Sequence, residues 1–152
     1  MVKQSAGILM YRRASRGLEV FIVHPGGPFW KGKDAGVWSV PKGEVHDREE
    51  LLDAAVREMK EETGINVIGR DFLGLGNVML RSGKIIHCWA TEGDWSGLLM
   101  GQSMVHLEFP KGSGKMISFP EVDKAGFFLV AETWKKLHYP QTIFLNRLEE
   151  AL

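Results

Sequence analysis

The sequence has very little cysteine, since Cys88 is the only one in 152 residues. A single cysteine excludes a disulfide within the chain and a structural zinc site built from paired cysteines. It also favours a reducing compartment, so we expect a cytoplasmic protein. Cys88 lies in a segment of strand-like composition, where we expect a buried and unreactive thiol.

The sequence also lacks an excess of charge and a long hydrophobic run. Its 19 Lys and Arg residues balance its 19 Asp and Glu residues, which excludes stable binding to nucleic acid or a membrane through bulk charge. No apolar run approaches the roughly 18–20 residues of a membrane span, and residues 1–7 lack the apolar stretch of a signal peptide. The remaining composition, 44% hydrophobic and 25% charged, predicts one globular domain over residues 1–152.

The order of residue patterns predicts a mixed α/β fold. Residues 5–12 and 18–23 are rich in β-branched and aromatic side chains and predict an antiparallel hairpin, followed by a glycine-rich loop over 24–36. A helix is predicted over 47–63, with Asp47 as its N-cap and Gly64 after its end. Further strands are predicted over 66–80, 84–91, 105–109 and 126–130, and helices over 131–138 and 141–152. The conformation of residues 92–103 stays open.

The predicted helix carries three glutamates on one edge of its apolar stripe. Glu58, Glu61 and Glu62 have the spacing i, i+3 and i+4, which brings the carboxylates within reach of one another at the side of a cleft. Like charges so close raise one another's pKa unless a cation lies between them. Oxygen ligands favour Mg²⁺ or Mn²⁺ as that cation. The alternative is a solvent-exposed face in which Arg57 and Lys60 pair with the glutamates without a metal.

The residues around this helix follow a longer pattern, which extends from 43 to 65. Its specified positions are Gly43, Glu49, Arg57, Glu58, Met59, Glu61, Glu62, Gly64 and Ile65. At every one of them the segment resembles the box of the Nudix hydrolases. Residues 38–43, WSVPKG, resemble the lead-in of Nudix enzymes that hydrolyse dinucleoside polyphosphates, and residues 24–30 and 119–124 resemble bacterial predicted nucleoside-triphosphate pyrophosphohydrolases.

The resemblance, which extends over about residues 5–148, implies an α/β/α sandwich with a mixed central sheet. It also implies metal-dependent cleavage of a nucleoside diphosphate linked to another moiety, X. In that scheme Glu58, Glu61 and Glu62 resemble the residues that bind Mg²⁺ or Mn²⁺. One of the three also resembles the base that takes a proton from the attacking water. The backbone carbonyl of Lys42 joins the metal ligands, and Arg57 and Glu49 brace the loop and orient the carboxylates.

Three residues outside the helix have two interpretations each. Glu121 is an additional metal ligand or water-activating group, or else a solvated loop acid. The Lys42 side chain contacts a substrate phosphate, or else is an ordinary surface lysine. Trp30 stacks on a nucleobase, or else belongs to the core.

The preferred substrate is less well defined than the family. We expect a dinucleoside polyphosphate ahead of a plain nucleoside triphosphate, although Ser82 replaces the tyrosine usual in diadenosine tetraphosphate hydrolases and Leu80 the proline usual in ADP-ribose hydrolases. The alternative is a non-catalytic Nudix-fold module that binds nucleotides or regulates another protein. The sequence does not indicate an oligomeric state.

Overall fold

The protein, described for residues 2–152 by a computed structural model, is built from β-strands and three α-helices. Met1, the first residue of the predicted domain, lies outside the described residues. The strands are β1 (Gln4–Ala14), β2 (Gly17–Pro25), β3 (Lys42–Glu44), β4 (Leu73–Met79), β5 (Ile85–Glu92), β6 (Met104–Glu108), β7 (Met116–Pro120) and β8 (Val122–Leu129). The helices are α1 (Leu51–Thr63), α2 (Val130–Lys136) and α3 (Ile143–Ala151), with a 3-10 helix at Tyr139–Thr142. No helix within residues 2–152 is long and apolar enough to cross a membrane.

The main sheet has six strands in the order β4-β5-β1-β2-β8, with β3 pairing to β1. β1 runs parallel to β5 and antiparallel to β2 and β3. The sheet is therefore mixed, as the resemblance implies. Strands β6 and β7 form a separate antiparallel pair.

Side chains alternate between the two faces of the main sheet along β1, and each face packs against a helix. Ile8 and Met10 belong to the apolar cluster that contains Met59 of α1. Leu9 belongs to the opposite cluster, which contains Phe144 of α3. Helix α1 thus covers one face and α3 the other, which confirms the predicted α/β/α sandwich.

The beginning of the predicted helix was wrong, and its end was right. α1 begins at Leu51, not at Asp47. Arg48 has a left-handed φ of 64° and Glu49 accepts a backbone hydrogen bond, so the residues before Leu51 form a turn instead of a first helical turn. Gly64 ends the helix with a φ of 82° and donates its N–H to the carbonyl of Lys60.

Other elements differ from the sequence prediction mainly in length. The first hairpin, β5 and β6 lie where strands are predicted, β4 covers only the end of 66–80, and β8 begins at Val122. β7 was not predicted. Cys88 is buried in β5, and burial raises the pKa of its thiol, which confirms the expected buried cysteine.

Candidate active site

Strand β3 and helix α1 bring the glycine and the glutamates of the box together. Glu58 and Glu62 are buried, at 8% and 6% exposure, whereas the Glu61 side chain is 46% exposed. A Cβ added to Gly43 would overlap all three atoms of the Glu58 carboxyl group. A side chain at position 43 could therefore be accommodated only if the Glu58 carboxyl group moved.

Arg57 is the hydrogen-bonding centre of this region. Its Nε and Nη2 donate to the two carboxylate oxygens of Glu49 at 2.8 and 3.0 Å, a bidentate pair. Its Nη1 donates to Glu58 at 2.8 Å and to Glu61 at 3.2 Å, and Nη2 also donates to the carbonyl of Glu44 at 2.9 Å. One guanidinium thus joins α1 to the loop that precedes it.

The charges in this network favour its ionised form. The bonds from Arg57, together with the backbone N–H of His46, lower the pKa of Glu49 to about 2. The carboxylates of Glu49, Glu58 and Glu61 in turn raise the pKa of Arg57 above its usual value. Burial acts in the opposite direction on Glu58 and raises its pKa, although Arg57 offsets part of the effect.

A second group of residues surrounds a small cavity of about 130 Å³, which Lys42, Glu62 and Glu121 help to line. Glu62 accepts the backbone N–H of Lys42 at 3.3 Å. Burial, with a further contribution from the negative charge of Glu121, raises the pKa of Glu62 to about 8. Burial also lowers the pKa of the Lys42 ammonium group, and the nearby carboxylates offset part of this decrease.

Glu121 reaches the cavity from the junction between β7 and β8. Its N–H donates to the carbonyl of Ser103 and its own carbonyl accepts the N–H of Gly26, both at 2.9 Å. Partial burial raises the pKa of its carboxyl group. The structure therefore places Glu121, an exposed residue in the bend between β7 and β8, beside Lys42 and Glu62.

Trp30 lies apart from both groups. Its side chain is 40% exposed, and the ammonium group of Lys33 lies 5.6 Å from its ring centroid. The loop that carries Trp30 is fixed by His24, whose ring nitrogens bond to Asp123 at 2.8 Å and to the carbonyl of Lys33 at 2.6 Å. Trp30 is thus outside the core but is not among the residues lining the small cavity.

The carboxylates do not form a finished metal centre. Within residues 2–152 no three His, Cys, Asp or Glu side chains are arranged to hold a metal ion, and the guanidinium of Arg57 bonds to both Glu58 and Glu61. The donor chemistry nevertheless fits a hard divalent cation, because the available atoms are carboxylate and backbone carbonyl oxygens. Burial is the main cause of the raised pKa of Glu62, and the negative charge of Glu121 adds to it. A bound cation would favour the ionised form of both carboxyl groups.

The sequence did not predict that residues 100–103 cap the C-terminal end of α1. The N–H of Met100 donates to the carbonyl of Thr63 at 3.1 Å, and those of Gln102 and Ser103 donate to the carbonyl of Glu61 at 2.8 and 3.2 Å. These bonds satisfy carbonyls that a helix leaves free at its C-terminus. No periodicity or motif in residues 92–103 signalled this role.

Comparisons with known proteins agree with this architecture. The family model described as NUDIX domain matches residues 1–142. The C. elegans Ap4A hydrolase, in a binary complex, has a TM-score of 0.67 at 17% identity, with 97% of this chain and 96% of that chain covered. The NUDIX domain of Shewanella oneidensis NrtR, complexed with ADP ribose, has a TM-score of 0.66 at 14% identity, with 99% and 88% covered. At these identities the two structures show the shared fold alone.

A curated relative matches over a short segment. Nudix hydrolase 10 of Arabidopsis thaliana is 53% identical over 32 residues, which is 21% of this chain and 12% of the plant protein. The match therefore spans only about an eighth of that protein's length. Together with the family model, which covers most of the chain, the sequence pattern of residues 43–65 and the sandwich fold identify the chain as a member of the Nudix hydrolase family.

Proposed function

We propose that this protein is a metal-dependent Nudix pyrophosphohydrolase, which cleaves a pyrophosphate bond in a nucleoside diphosphate linked to X. The observation that carries the proposal is the complete acidic edge of α1, in which Arg57 holds Glu58 and Glu61 while Glu62 lies beside the backbone of Lys42. A module that only binds nucleotides has no need of this full set of carboxylates.

Glu58, Glu61 and Glu62 would hold Mg²⁺ or Mn²⁺, with the carbonyl of Lys42 and the carboxylate of Glu121 as further ligands. The bound cation would neutralise charge on the diphosphate and acidify a coordinated water. The donor set consists of hard oxygen atoms, which these cations prefer. The bidentate bond between Arg57 and Glu49 supports the edge by fixing the loop against the helix.

The protein side chains have three further tasks in this proposal. One of the box carboxylates, or Glu121, accepts a proton from the water that attacks phosphorus. The ammonium group of Lys42, beside Glu62 and Glu121 in the small cavity, offers a point charge to a phosphate oxygen. The exposed ring of Trp30 offers a stacking surface to a base.

We propose a dinucleoside polyphosphate as the substrate class, ahead of a nucleoside triphosphate. The WSVPKG lead-in over residues 38–43 supports this order, and an Ap4A hydrolase is among the proteins that share the fold. We further propose that residues 1–152 act as one domain in the cytoplasm, with a nucleotide as ligand and neither nucleic acid nor a membrane as a stable partner.

The test is a hydrolysis panel with Mg²⁺ or Mn²⁺, covering diadenosine polyphosphates, nucleoside triphosphates, deoxynucleoside triphosphates, ADP-ribose and NADH. Glu61→Gln combined with Glu62→Gln is expected to abolish release of nucleotide or phosphate. Glu149→Gln combined with Glu150→Gln, on the exposed end of α3, is the matched control and should retain activity. Turnover that survives the first pair would refute the mechanism, and binding without turnover in the wild type would identify a sensor.

A further inference from the structure

A larger cavity borders the acidic edge of α1 and has Glu61, but not Glu62, among its lining residues. It has a volume of about 570 Å³ and lies between the C-terminal half of α1 and the segment 99–103. We call it the α1 cleft, and its lining residues are Arg57, Lys60, Glu61, Gly64, Met100, Gln102 and Ser103. Two of these, Arg57 and Glu61, also belong to the acidic edge, so the cleft is continuous with the proposed reaction centre.

We propose that the α1 cleft binds a nucleoside of the substrate, with the phosphate chain leading from the cleft to the acidic edge of α1. This assignment rests on the proposed function, and it adds a binding site with named residues. In a dinucleoside polyphosphate the occupant is one of the two nucleosides, and in a nucleoside triphosphate it is the only one.

The first argument is size. Pockets for small organic ligands typically measure roughly 300–1,000 Å³. The α1 cleft, at about 570 Å³, falls within that range, whereas the cavity beside Lys42 and Glu62, at about 130 Å³, does not. The small cavity has room for a phosphate group or for waters. Three other cavities have volumes of about 480, 530 and 560 Å³, but none of them is lined by a proposed metal ligand, so we assign the bulky end of the substrate to the α1 cleft.

The second argument is the chemistry of the walls. Met100 is 66% exposed and presents a thioether, which makes favourable contacts with aromatic rings. Gln102 carries an amide that can both donate to and accept from a base edge, and Lys60 carries an ammonium group suited to phosphate. Within residues 2–152 the side chains of Lys60, Gln102 and Ser103 have no hydrogen-bond or ion-pair partner, so these groups are available to a ligand.

The third argument is that the wall is fixed in place before a ligand arrives. The N–H groups of Met100, Gln102 and Ser103 bond to carbonyls at the end of α1. Gly101 lies so close to the backbone of Glu62 that a side chain there would overlap it. A wall held by its backbone leaves its side chains free to bind and lowers the entropic cost of binding.

The test uses Met100→Glu, which places a negative charge in the lining of the α1 cleft. Because Met100 is exposed, the variant is expected to fold. Leu98→Glu is the matched control, since Leu98 is 67% exposed on the same segment and does not line the cleft. Lys60→Ala tests the phosphate contact separately.

Two measurements are made with each protein. The first is the KM and kcat for diadenosine tetraphosphate with Mg²⁺, and the second is calorimetric binding of a methylene-bridged analogue that is not hydrolysed. Met100→Glu is expected to raise both the KM and the dissociation constant of the analogue by about tenfold or more, and Lys60→Ala by about tenfold. Leu98→Glu is expected to match the wild type in both.

The possible outcomes separate this assignment from the proposed function. If the wild type hydrolyses the substrate but Met100→Glu and Leu98→Glu bind the analogue equally well, the cleft assignment is refuted and the proposed function stands. If the wild type neither binds nor hydrolyses any compound in the panel, the proposed function fails and the assignment fails with it. A tenfold loss confined to Met100→Glu and Lys60→Ala supports both.

Discussion

A methyl group at Gly43 is the smallest change that should disturb the acidic edge without removing a charged group. In the structure a Cβ at this position would overlap the Cδ and both oxygens of Glu58. The carboxyl group would have to move by more than about 1 Å to restore a normal van der Waals separation. Gly43 has no positive φ, so the substitution Gly43→Ala tests this overlap and not backbone strain.

The size of the effect follows from what the Glu58 carboxylate would lose. Its bond from Arg57 measures 2.8 Å, and a hydrogen bond to a charged group contributes about 1.5–3 kcal/mol to stability. For a protein of this size a loss of that order lowers Tm by about 3–12 °C. Displacement of a proposed ligand should also weaken Mn²⁺ binding by about ten- to hundredfold, as is typical of changes next to a metal site.

The assays are thermal unfolding without metal and Mn²⁺ titration followed by electron paramagnetic resonance. Gly74→Ala is the control, because Gly74 lies in β4, lacks a positive φ, and its added Cβ would come no closer than 3.9 Å to Trp89. In a Glu58→Ala background the overlap disappears, so adding Gly43→Ala should then cost little. Equal effects of Gly43→Ala and Gly74→Ala on Tm and Mn²⁺ affinity would refute the steric argument.

Three further predictions concern stability. Glu49→Gln removes the charge that pairs with Arg57 and should lower the free energy of unfolding by about 1.5–3 kcal/mol at pH 7. The pKa of Glu49 in the folded protein, about 2, lies below its ordinary value of 4.5. The difference in stability between variant and wild type, measured by urea titration, should therefore vanish as the pH falls from 4.5 towards 2. Ser5→Ala should stabilise the protein by about 1 kcal/mol in the same assay, since the buried Ser5 hydroxyl has no hydrogen-bond partner within residues 2–152, and a clear loss of stability would contradict this. Gly64→Ala should cost about 1 kcal/mol or more, because φ is 82° and the added Cβ would crowd Met100; an unchanged chemical denaturation midpoint would be the opposing result.

The sequence predicted the helix with its acidic edge because apolar spacing and carboxylate spacing both have the period of a helix. It did not predict where α1 begins, because the position of Asp47 fits a general capping preference, whereas Arg48 is left-handed and Glu50 is extended in the structure. In this turn Glu49 bonds to Arg57, eight residues later in the chain. The segment 99–103 was beyond local prediction for a similar reason. Its conformation is fixed by helix carbonyls some 40 residues earlier in the chain, such as that of Glu61, and no local pattern records such partners.

The charge balance at the site connects the proposed chemistry to the neutral composition of the chain. Arg57 carries one positive charge and shares it among Glu58, Glu61 and its bidentate partner. Glu62 and Glu121 form no ion pair with an arginine within residues 2–152 and share a cavity with Lys42 alone as a basic lining residue. Burial is the main cause of the raised pKa of Glu62, and the negative charge of Glu121, which would also repel an anion, adds to it. A polyphosphate therefore approaches this edge favourably only when a cation accompanies it. Nucleotide affinity and divalent-cation affinity must then be thermodynamically linked, each increasing the other by the same factor.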